Sequence, residues 1–143
     1  MIVDAEIPDD HSSPIVIVSD DTWRVQSGDR AAAYTVLHQQ CADYVRENGI
    51  DIVIVKASAV SGQGPAKLGS LLSAEVRGVV IAAAASHCCV KALSKAHISR
   101  TYGARKVDEY IGDDIFWENH TAGGALRKLS REAAILIIAA RNA

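Results

Sequence analysis

The chain has 143 residues, 49% hydrophobic and 22% charged, with 15 Lys and Arg against 17 Asp and Glu. That length suits one domain, residues 1–143, with a single core, and the apolar content excludes a disordered chain. A net charge of −2 excludes a protein that coats nucleic acid by bulk attraction, while a local basic patch stays open.

The opening Met1-Ile2-Val3-Asp4 has no basic stretch followed by an apolar one, so no secretory signal is expected. Met1 to Ile7 reads as a strand, Pro8 to Ser13 as a turn, and Pro14 to Val18 as a second strand. Asp20-Asp21 separates it from Thr22 to Gln26, which completes a three-strand antiparallel meander. Ser27-Gly28-Asp29 supplies cap chemistry for a helix that runs to about Asn48-Gly49, with Tyr34, Leu37, Cys41, Tyr44 and Val45 at helical spacing. Ile50 to Val55 is almost continuously apolar, as a strand covered on both faces is.

Ala57 to Pro65 reads as loop, and Ala66 to Ala85 as a second helix with Leu68, Leu72, Val76, Val79 and Ala83 on one face. No stretch of about 18 residues is both apolar and uncharged, so no membrane span is expected. His87 to Leu93 reads as a fifth strand. Ser94 to Tyr102 and Arg105 to Ile111 read as short helices hinged at Gly103. The last helix, about Leu126 to Ala140, carries Leu126, Leu129, Ala133, Leu136, Ile137 and Ala140 on one face and Ile135 and Ile138 nearly opposite. A helix apolar all round needs cover on both sides, from the core or from a second subunit. The order β-β-β-α-β-α-β-α-α implies an α/β fold in which a meander is followed by parallel units.

Glu75-Val76-Arg77-Gly78-Val79-Val80-Ile81-Ala82-Ala83-Ala84 resembles the second conserved helix of RuvC-type Holliday-junction resolvases. Val90 to Ser94, Ile98 to Gly103 and Ala104 to Val107 are similar to that family's next strand, the segment leading to a Gly, and the start of the following helix. The resemblance covers about residues 66–111, and the flanks by element order alone. It implies a ribonuclease H-like fold: a mixed five-stranded sheet with helices on both faces.

The resemblance also implies a divalent-metal-dependent endonuclease acting on DNA or RNA. In that family carboxylates converge so that two Mg²⁺ or Mn²⁺ ions, about 3.5–4 Å apart, clamp the attacking and leaving oxygens. The matching acids are Glu6 on the first strand, with Asp4 two residues earlier, and Glu132 on the last helix. Glu6 and Glu132 are therefore the expected metal ligands, and Asp4 joins them as a catalytic candidate. Where the family has an acid at the end of the fourth strand, this chain has Lys56, and three residues before Glu132 it has Leu129. The domain is thus diverged, with weakened or lost activity, and Lys56 is expected to face Glu6 and Glu132 as a charge in place of a metal. Glu75, Asp113, Asp114, Glu118 and His120 are substitute acids or ligands only if they migrate into the site; solvated positions, turns and caps are their ordinary roles.

Lys91, Lys95, Arg100, Arg105 and Lys106 form the densest basic group, with Tyr102 inside it as a stacking candidate for nucleic acid. Ser61 to Lys67 opens a helix with glycines but lacks the G-K-[ST] ending of a phosphate loop. The five histidines show no metal-binding spacing. Cys41, Cys88 and Cys89 make neither a C-x-x-C pair nor an even-numbered framework, so free, largely buried thiols in a reducing cytoplasm are expected. The alternative to a nuclease is a non-catalytic assembly module that keeps the fold. A homodimer is expected because RuvC-type resolvases pair and because Ile135 and Ile138 need cover.

Overall fold

The computed structural model describes residues 1–58, 65, 67–101 and 105–142. The loop tip at residues 61–64, Tyr102 and the hinge at Gly103 lie outside them. The chain is mixed α/β and groups into two compact units: Met1–Trp23 with Leu93–Ala143, and Arg24–Ala92.

In the first unit, β1 (Ile2–Glu6) runs antiparallel to β2 (Ile15–Asp21), and β2 runs parallel to β5 (Thr121–Gly123). The turn between β1 and β2 closes on Asp10, whose carboxylate accepts the Ser12 backbone N–H at 2.9 Å and the Ser12 and Ser13 hydroxyls. These bonds hold the Asp10 carboxyl below its usual range. The register slips between Asp4, opposite Ser19, and Ala5, opposite Ile17, so Val18 is an extra residue, and it is 56% exposed. Plain alternation from Ile15 and Ile17 would turn Ser19 inward. After the bulge it is Asp20 that lies opposite Val3, on the face that Ala5 and Ile17 share.

Helices α3 (Lys95–Thr101), α4 (Val107–Gly112), α5 (Asp114–His120) and α6 (Arg131–Arg141) complete this unit, with a 3-10 turn at Lys128–Ser130. Asp113 caps α5 by accepting the Phe116 N–H at 3.0 Å. Trp117 is buried and donates its indole N–H to the Tyr110 carbonyl at 2.8 Å, so its polar atom is satisfied inside the core. Ile135 and Ile138 are fully buried, together with Ile15, Ala134 and Ala139.

The second unit holds α1 (Arg30–Glu47), β3 (Ile52–Lys56), α2 (Leu68–Ala85) and β4 (Cys89–Leu93) as far as Ala92. Asp29 caps α1 by accepting the Ala32 N–H at 3.0 Å, and Gly49, at φ +60°, ends it. Ala33, Leu37, Cys41 and Val45 form the buried stripe of α1, and the Cys41 thiol points at the Val80 carbonyl of α2 at 3.8 Å. Helix α2 packs on α1 and β3.

Several expectations are corrected. Thr22 to Gln26 is not a strand; all but Trp23 are exposed, and no neighbouring strand takes up their backbone groups. The five strands do not form one sheet: three pair in the order β1-β2-β5, and β3 pairs with β4. Helix α5 and strand β5 were not foreseen, and the last helix begins at Arg131 rather than Leu126. Leu129, on the 3-10 turn, is 76% exposed instead of joining a buried face. Ile135 and Ile138 are covered by this chain itself, so they call for no second subunit. Of the thiols, only Cys41 is buried; Cys88 is half-buried and Cys89 exposed, all three free.

Gly123 fixes the way β5 meets β2. Its φ is +83°, and a Cβ there would stand 2.8 Å from the Ile17 carbonyl oxygen and 3.0 Å from Val16 Cγ1. Gly123→Ala is expected to lower unfolding free energy by about 2 kcal/mol, from backbone strain and the contact with a fixed carbonyl. Urea denaturation measures this, and an unchanged midpoint would show that β5 does not dock as described.

Candidate functional site

The acids expected to converge belong to the first unit. Glu6 is exposed at the end of β1 opposite Val16, and half-buried Asp4 lies opposite Ser19. Both occupy the face of β1 opposite to the one where Asp20 sits. Glu132 is exposed in the first turn of α6. Asp4, Lys56 and Glu132 are none of them without a partner. Lys56 is half-buried at the end of β3, in the second unit.

The described residues include every Asp, Glu, His and Cys of the chain, and among them no three converge as a metal ion requires.

A strand acid that is seen to meet the segment leading into the last helix is Asp20, expected to lie between two strands. Its side chain is 6% exposed. It accepts the Arg127 backbone N–H at 2.8 Å, the Arg127 guanidinium at 2.7 Å and the Ser130 hydroxyl. Hydrogen bonding from Arg127, opposed by burial and aided by Ser130, brings the Asp20 carboxyl down to about 2. Beside this tie, Arg131 is buried, donates to the Ile111 carbonyl at 2.9 Å and pairs with Asp114 at 2.7 Å. Hydrogen bonding to Arg131, with the nearby Lys128 charge, holds the Asp114 carboxyl below its usual range. These acids neutralise arginines that lock α6 in place; they are anchors rather than ligands.

The basic group is distributed over both units. Lys91 is exposed on β4 in the second unit, while Lys95 and Arg100 are exposed on α3, and Arg105 and Lys106 are exposed before α4. Arg105 is committed within its own unit: it bonds Asp113 at 3.0 Å and lies 4.6 Å above the Tyr110 ring. The Lys106 backbone N–H is taken by the Glu109 carboxylate at 2.7 Å.

The second unit carries a different feature. Only Ala83 and Ala84 of the eighteen residues of α2 are buried, although the helix is apolar. Leu68 and Leu71 are 69% and 50% exposed, and a Cβ at Gly69 or Gly78 would meet open space. By length and composition α2 is long and apolar enough to cross a membrane. Glu75 and Arg77 sit in its middle, where a charge would cost about 2.5–3.5 kcal/mol in a bilayer centre. Arg77 is also bonded to the Ser58 hydroxyl.

Between α1 and α2 runs an open groove of about 660 Å³, lined by Ala31, Tyr34, His38, Gly78 and Ala82 among others. Glu75 stands in it, accepting the Tyr34 hydroxyl at 2.7 Å and pairing with Arg30 at 3.5 Å. That hydrogen bond raises the Tyr34 phenol above its usual range. Glu75 belongs to the second unit, and Glu6 and Glu132 to the first.

Compared with protein-family models, with curated proteins and with solved structures, the chain matches none.

Proposed function

We propose that the chain is a non-cleaving assembly module of RuvC-type, ribonuclease H-like descent, which works in the cytoplasm and self-associates through α2. The observation that carries this reading is that α2, an apolar helix of eighteen residues, fully buries only Ala83 and Ala84, leaves Leu72, Val76, Val79, Val80 and Ile81 half-buried and exposes Leu68 and Leu71. Exposed apolar surface of this kind is costly in water and marks a contact surface. The exposed small residues Gly78, Ala82 and Ala85 let a second helix come close, and a two-fold axis beside them would pair like with like. The resemblance over residues 66–111 includes this same helix, which supports descent from a resolvase domain. The non-cleaving part of the reading is supported by the described residues, among which no three His, Cys, Asp or Glu side chains form a group that could hold a metal ion.

Analytical ultracentrifugation of the whole chain tests the reading. A dimer is expected, and Leu71→Lys should weaken it by about ten- to a hundredfold, the worth of one buried leucine. Gly78→Arg, at a position with open space around it, should block pairing while the circular dichroism spectrum stays unchanged. A monomer at every concentration overturns self-association. The same preparations, incubated with Mn²⁺ and branched, duplex and single-stranded DNA or RNA, are expected to leave them uncut. Cleavage that disappears in Glu132→Gln would restore the nuclease. Binding that weakens steeply with salt and is lost in Lys95→Ala with Arg100→Ala would make nucleic acid the partner instead.

A further inference from the structure

No further inference is drawn: the strongest candidate, the groove between α1 and α2 that holds Glu75 and Tyr34, belongs to the α2 surface already described, and nothing in the structure shows what would fill it.

Discussion

Ile135→Ala is expected to lower unfolding free energy by about 2–5 kcal/mol, and Ile138→Ala by a similar amount, because each removes three carbons from a site that cannot collapse around the loss. Both side chains are fully buried within one chain. The cost should therefore be the same at every protein concentration. If a second subunit supplied the cover, the deficit of the variant relative to the parent would change with concentration, because association stabilises the folded state by mass action. Urea unfolding of parent and variants over a hundredfold concentration range measures the difference. A deficit that varies with dilution would return α6 to an interface.

Helix and strand positions were largely legible in the residues. The α1 stripe of Leu37, Cys41 and Val45 is buried as its spacing implies, and Asp29 and Gly49 bound the helix as their chemistry requires. The runs at Ile15–Val18 and Ile52–Val55 are strands. What the residues did not disclose is pairing. Strand β5 is three residues, Thr121-Ala122-Gly123, too short for any period, and its place beside β2 depends on a backbone contact with Ile17. Thr22 to Gln26 alternates like a strand but has no strand beside it.

The site was less legible, for a related reason. Alternation along β2 turns Ser19 inward and leaves Asp20 at the surface; a single extra residue, Val18, reverses this. A bulge has no composition signal here, since Val18 fits a regular strand as well as a bulged one. The resemblance directed attention to Glu6 by position along β1. That Asp20 reaches the segment before the last helix depends on the register between strands, which position along one strand does not disclose.

Asp20→Ala is expected to cost about 2–3 kcal/mol, because it strips the charged acceptor from Arg127 and leaves the Ser130 hydroxyl buried without its partner. The lower end of the range for buried pairs applies because the Arg127 side chain is 47% exposed and regains water. The same tie predicts a pH dependence of definite sign. The Asp20 carboxyl titrates at about 2 when folded, against an ordinary value of 3.8. Its contribution is complete above pH 4 and is lost as pH falls towards 2, about 2 kcal/mol in all. Asp20→Asn keeps the shape without the charge, so its stability should lack that part of the acid slope. Urea midpoints between pH 2 and pH 6 for the parent and Asp20→Asn decide the matter. An acid slope that survives unchanged in Asp20→Asn would mean that a carboxylate other than Asp20 ties β2 to the segment before the final helix.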